Sequence, residues 1–230
     1  MDKMLSTSVF FGVFVSVAGY EIGLLLKRKF RLAIFNPLLV AIIVVMLILA
    51  GTGVDYESYN EGAKYLSYLL TPATVCLAVP LYQQLSMLKN NYKAILGGIV
   101  AGVLTSILSV LGLCVICGFD HQMYVTLLPK SITTAIGMGV SEELGGLVTV
   151  TVAVIIITGV FGNIIGEAVF KIFHIKEAVA KGVALGTSAH AIGTARAMEL
   201  GEVEGAMSSL AIAVAGLITV IGASVFANVY

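Results

Sequence analysis

The chain has 230 residues, of which 59% are hydrophobic and only 11% charged, and its 13 basic residues balance 13 acidic ones. A soluble domain carries about 25% charged residues, so a mean hydropathy of +1.04 excludes an ordinary water-soluble enzyme or binding domain. No basic stripe with interleaved aromatics is present to hold nucleic acid, and no His-Glu-x-x-His or similar spacing calls for a metal or any other cofactor.

A hydrocarbon core of about 30 Å takes about 20 apolar residues per helix, and on that ruler the chain reads as an all-α polytopic membrane protein. The first apolar run, residues 6–26, is followed at once by Lys27, Arg28, Lys29 and Arg31. That flank marks a span with a cytoplasmic end rather than a cleaved leader. A second run, 36–50, opens with Pro37 near its start, where proline suits a first helical turn. An acidic loop with Asp55, Glu57 and Glu61 comes next. The third run, 63–85, contains Pro72 and Pro80, which are expected to kink it and expose Thr74 at the break, as a third wall of a substrate pocket or else as a mere packing kink. Lys89 and Lys93 follow, then an uninterrupted fourth run, 94–117. Its Cys114 and Cys117 form a C-x-x-C without a second ligand pair or an activating charge, and both read as packing residues.

Beyond residue 120 the pattern changes. Residues 121–146 are too polar for a lipid-facing span and are interrupted by Pro129, Gly137 and Gly139. A clean run returns at 147–170, followed by Lys171, Lys176 and Lys181. A second interrupted stretch, 177–205, precedes a last run at 206–229. The expectation is about six transmembrane helices plus two broken, re-entrant segments. Three clusters hold nine of the thirteen Lys and Arg residues, and this topology puts all three on one side. The positive-inside rule makes that side cytoplasmic and both termini external.

The two broken segments match each other. With a shift of 56 residues, Ala135-Ile136-Gly137 falls on Ala191-Ile192-Gly193, Glu143-Leu144-Gly145 falls on Glu199-Leu200-Gly201, and Ser131 faces Thr187. Each copy is followed by a full span, and the two enter from opposite sides. Inverted repeats with broken helices near the midplane are a recurring design in secondary transporters, because irregular backbone survives in lipid only against protein or a water-filled cavity. Residues 1–120 are therefore read as scaffold helices and 121–230 as a duplicated hairpin-plus-helix transport unit, within a single membrane domain. The scaffold half is also the expected homodimer contact.

Candidate site residues cluster at the two tips. Lys130, with Ser131, Thr133 and Thr134, is an anion contact completed by hydroxyls, or else a lysine snorkelling to the interface. In the second tip lie Ser188, His190 and Thr194. His190 titrates near neutrality and is the candidate for proton coupling, against the alternative of a core histidine bonded to backbone. Arg196 either clamps a carboxylate or pairs with Glu199, Glu142 or Glu143. Glu143 and Glu199 read as structural partners. Asn163 and Glu167, one turn apart, line the path or bind a cation, or else Glu167 is simply a helix-end residue near the cytoplasmic surface. Ser188 and His190 cannot face each other at i, i+2, so no catalytic triad is expected and the chain is not read as an enzyme.

Three segments carry a family resemblance: LLTPATVCLAVPLY at 69–82, PKSITTAIG at 129–137 and ALGTSAHAIGTARAME at 184–199. In that order they resemble the LrgB/CidB family of antiholin-like membrane proteins. The resemblance implies a bacterial cytoplasmic-membrane protein that modulates murein hydrolase activity and autolysis with a small holin-like partner, LrgA or CidA. It is also similar to a plastid protein that exchanges glycolate and glycerate, and bacterial members have been connected to pyruvate uptake. The plastid protein carries a fused LrgA-like portion that is lacking here. The resemblance thus implies a small hydroxy- or keto-carboxylate substrate. The leading expectation is a proton-coupled secondary transporter of small monocarboxylates, working by alternating access at the broken-helix tips. The alternative is an antiholin-like regulator that needs no substrate.

Overall fold

The computed structural model describes residues 9–30, 35–76 and 78–230, and among them all regular structure is helical. Ser6 and Arg31, at the edges of the first expected span, lie outside the described residues. Two compact units are present, Met1–Cys76 and Leu77–Tyr230.

The first unit holds α1 (Val9–Phe30), α2 (Pro37–Thr52), α3 (Tyr56–Ser67) and α4 (Leu70–Cys76). Asn36 caps α2, its side chain accepting from the backbone N–H groups of Leu38 and Leu39, and Gly53 ends the helix in the left-handed conformation at φ 67°. Such a cap satisfies backbone groups the helix itself leaves orphaned. The expected acidic loop is instead helical: Asp55 accepts from the Ser58 N–H and starts α3. Helix α1 approaches α3 so closely at Gly12 that a Cβ there would collide with the Tyr59 carbonyl and the Ala63 nitrogen. Ser16 and Tyr59 hydroxyls meet at 2.7 Å beside it.

The expected third span, 63–85, is divided among the end of α3, α4 and α5 (Ala78–Gln83). Pro72 falls in the first turn of α4, where a missing N–H removes no intrahelical bond; Pro80 lies in α5, and residue 77 between these two helices lies outside the described residues.

The second unit continues with α6 (Leu85–Cys117), α7 (His121–Leu127), α8 (Thr134–Glu143), α9 (Val148–Ile172), α10 (Ala178–Leu200) and α11 (Glu202–Phe226), closed by a 3-10 turn at Ala227–Val229. Among the described residues, four helical stretches are long and apolar enough to cross a membrane: Phe10–Phe30, Lys89–Cys117, Val148–Ile172 and Glu202–Val229. Helix α2 is apolar but shorter. The protein is thus an all-helical, multi-pass chain.

The core of this unit is built on one stripe of α6. Ile95, Ile99, Val103, Ile107, Val110 and Cys114 recur at helical spacing and are all buried, against Tyr124, Val125 and Leu128 and against the alanines of α11. Ala206, Ala211, Ala215 and Ala223 are small enough to let helix backbones approach, which is how apolar helices gain packing energy when lipid offers no hydrophobic drive. Cys114 is fully buried and packs there as expected, while Cys117 and Cys76 are exposed.

Both interrupted segments double back. In α10 the backbone leaves helical geometry at His190 (φ 41°, ψ −135°). The chain reverses there, so that Leu185 and Ala197 share one buried cluster with Phe170; along a straight helix they would stand about 18 Å apart. In the first segment, Ser141 and Thr126 both lie against Gly146, although fifteen residues separate them. Thr151 ties this hairpin to the start of α9, its Oγ1 lying 2.8 Å from the Thr126 carbonyl and 2.7 Å from Ser141 Oγ. Corresponding positions make corresponding contacts. A Cβ on Gly137 would lie 3.5 Å from the Pro129 carbonyl, and one on Gly193 would lie 2.5 Å from that of Leu185.

Candidate functional site

Within the second unit, α6, α9, Lys130, Ser131 and the first arm of the α10 hairpin line an open cleft of about 1030 Å³. Glycines set its walls. Gly98 and Gly102 of α6 contact Val183 and Thr187, so these two helices run parallel, while Gly162 and Gly166 of α9 receive Ala189 and Leu185 in antiparallel register. Bulkier residues at these points would separate the helices.

The cleft has polar residues at both ends, with the hydroxyls gathered at one of them. Asn91 and Glu177 line its beginning, apolar residues its middle, and Thr105, Ser106, Ser109, Lys130, Ser131, Thr187 and Ser188 its far end. From Asn91 to Ser106 the rise of α6 is about 22 Å at 1.5 Å per residue. Lys130 Nζ donates to Ser131 Oγ at 3.0 Å, and Ser106 Oγ donates to the same oxygen at 3.0 Å. Among the described residues, Lys130 forms no salt bridge. A cation bonded to a hydroxyl and in no ion pair among the described residues favours an anion as its partner.

Of the residues singled out from sequence, Lys130, Ser131 and Ser188 line this cavity. Thr133 is the half-buried N-cap residue of α8 and makes no side-chain capping bond; Thr134 begins that helix. His190 is the bend itself, 3% exposed, with Nε2 donating to the Ile155 carbonyl at 2.9 Å and the ring packed on Gly159. Thr194 is buried behind it, bonded to the His190 carbonyl at 3.1 Å and to Ser208 Oγ at 2.7 Å. Arg196 pairs with Glu199, one of the partners expected, and also with Glu167 on α9. Asn163 donates to the Ile192 carbonyl just past the bend, at 2.9 Å. Thr74 falls within α4, its side chain outside the described residues.

Ser106, with Thr105 and Ser109, was not singled out from sequence. The signal was present: three hydroxyls at i, i+1 and i+4 in an otherwise apolar span. Thr187, noted there only as the counterpart of Ser131, also proves to line the far end, and Thr158 faces it from α9.

Fold and cavity together define a multi-pass helical membrane protein with a polar-ended open cleft between its helices. No solved structure matches it. The sequence matches the LrgB-like family over residues 16–229. It is 39% identical over 213 residues to the antiholin-like protein LrgB of Bacillus cereus strain B4264 and equally to that of Bacillus anthracis strain A0248, each alignment covering 92% of this chain and 93% of the relative. The chain belongs to the LrgB-like family.

Proposed function

We propose that this chain is an antiholin-like protein of the bacterial cytoplasmic membrane, restraining murein hydrolase activity and autolysis together with a separate LrgA/CidA-type partner. The observation that carries this reading is the near full-length 39% identity to relatives bearing the antiholin-like name. Its test is expression of the chain, with and without a partner of that type, in a bacterium lacking its own copies. The expected result is slower autolysis and lower murein hydrolase activity when both are present. Unchanged lysis, with both proteins located in the membrane, would sink it.

A second reading is favoured by the cleft: transport of small monocarboxylates by alternating access. Lys130 in the cleft, without a carboxylate partner among the described residues, supports it. So does the crosswise packing of the two bends. Ile192 Cδ1 would lie 2.8 Å from a Cβ on Gly159 of α9, while Ile136 Cδ1 would lie 3.2 Å from one on Gly216 of α11. Each bend thus leans on the span that follows the other, as expected of two inverted, re-entrant repeats exchanging conformations. In this topology six spans and two re-entrant hairpins leave both termini outside. The basic flanks, including Lys89, Lys93 and Lys171, stand at the cytoplasmic mouth near Asn91 and Glu177. Proton coupling would run through His190, whose bond to Ile155 must open for its ring to reach the cleft.

The two readings are compatible, since metabolite flux can act on lysis. Uptake of labelled glycolate, glycerate and pyruvate into liposomes holding the purified protein, with and without a pH gradient, separates them. Saturable uptake supports the carrier. Absence of uptake both with and without the partner subunit leaves the regulatory reading alone.

A further inference from the structure

The hydroxyls at the far end of the cleft differ in where their hydrogens go. Thr105 donates to Ala101 O, Ser109 to Ser106 O, Thr187 to Val183 O and Ser188 to Ala184 O. Each of these hydrogens is spent on the residue's own helix, so these side chains face the cleft with lone pairs only. Ser106 spends its hydrogen on Ser131 Oγ, and Lys130 Nζ donates to the same oxygen. A hydroxyl has two acceptor lone pairs and one hydrogen. Both lone pairs of Ser131 are therefore filled, and its O–H must donate elsewhere. No partner for that hydrogen is recorded among the described residues, and Ser131 lines the cleft.

Resting on the carrier reading, we infer that Lys130 and Ser131 form a donor-only seat for the head of a small, singly charged oxyanion, and that Ser106 of α6 is the positioning residue that makes it donor-only. One oxygen of the anion takes an N–H of Lys130, which has two hydrogens left after its bond to Ser131. The other takes the Ser131 O–H. Thr158 on α9, another lining hydroxyl with no recorded partner, supplies a further donor from the opposite wall. Ser106 touches no ligand atom in this arrangement. By occupying the second lone pair of Ser131 it denies that lone pair to any ligand N–H or O–H. A carboxylate is accepted, whereas the isosteric amide, which replaces one acceptor with a donor, loses one of the two bonds because its NH2 would face the donor of Lys130 or of Ser131.

The test is calorimetric binding to the purified full-length chain in detergent, using acetate, glycolate and pyruvate and the amide of each. Wild-type protein binds the acids more tightly than the amides. Lys130→Met abolishes acid binding. Ser131→Ala weakens it about tenfold, the factor for one hydrogen bond to a charged group. Ser106→Ala frees a lone pair on Ser131 and narrows the preference for acid over amide, also by about tenfold, and Ser106→Thr restores it. A purely structural role for Ser106 would lower affinity for acid and amide alike. If Ser106→Ala does not fold, Ser106→Cys, a weak donor of similar size, carries the same comparison. Acid binding that needs Lys130 but keeps its acid-to-amide ratio in the Ser106 and Ser131 variants overturns the seat and leaves the carrier reading standing. Wild-type protein that melts cooperatively and binds none of the acids overturns both.

Discussion

Gly193 packs directly on the carbonyl oxygen of Leu185, eight residues earlier in the chain, because the backbone reverses between them at His190. A Cβ at Gly193 would stand 2.5 Å from that oxygen and 2.7 Å from the Ala189 side chain, and backbone cannot yield as a side-chain tip can. Gly193→Ala should therefore lower stability by about 1–3 kcal/mol, the range for overpacking. Gly137→Ala meets mainly the flexible Cδ1 end of Ile155 and should cost less. Gly139 has open space around its missing Cβ, so Gly139→Ala should be neutral or slightly stabilising. Melting temperatures in detergent rank the three, and equal losses at Gly193 and Gly139 would contradict the hairpin.

His190 holds a positive φ that side chains other than glycine rarely adopt, at a cost of about 1–3 kcal/mol. Its ring offsets this by donating to Ile155 and filling the space over Gly159. His190→Ala loses the ring and keeps the strain; His190→Gly loses the ring and relieves it. The glycine variant should thus be the more stable of the two, by about 1 kcal/mol. The reverse order in thermal melts would mean that the bend is not strained at this residue.

These two positions show how far the sequence carries. The stretches 121–146 and 177–205 were legible as departures from an uninterrupted span, and the long spans were legible because apolar runs of that length have no stable alternative in lipid. Three things were not legible. The prolines at 72 and 80 looked like kinks within one helix, yet Pro72 stands in the first turn of α4, just after a break at Tyr68 and Leu69. Asp55 looked like a loop acid and is a helix cap. Ser106 carried no motif, because its role depends on a hydroxyl 25 residues away that only the fold brings to it.

Arg196 joins α9 to the second arm of the α10 hairpin through Glu167 and Glu199. Its side chain is 25% exposed, between the fully exposed pairs that contribute under about 1 kcal/mol and the buried ones whose disruption costs about 3–5 kcal/mol. Arg196→Gln should accordingly cost about 1–2 kcal/mol. The Glu167→Gln, Arg196→Gln double variant should cost less than the sum of the two single changes. Arg196 does not line the cleft, so anion affinity should survive. An Arg196→Gln protein with normal stability and lost anion binding would restore the carboxylate clamp that its sequence position suggested.

Thr151 closes the first hairpin. It is fully buried, as are Thr126 and Ser141, and its one hydroxyl hydrogen is shared between the Thr126 carbonyl and Ser141 Oγ. Thr151→Val keeps the shape and removes the donor, leaving two buried acceptors without it. The cost of stranding such groups is about 1–3 kcal/mol. Thr105 makes the contrast, because its hydroxyl is exposed and bonds only to Ala101 of its own helix; Thr105→Val should stay within about 0.5 kcal/mol of wild type. Hydrogen exchange sharpens the distinction. Amides of α8 and the start of α9 should lose protection in Thr151→Val, while those around His190 keep it. Uniform loss across both hairpins would mean that they open as one unit and that Thr151 does not act on the first hairpin alone.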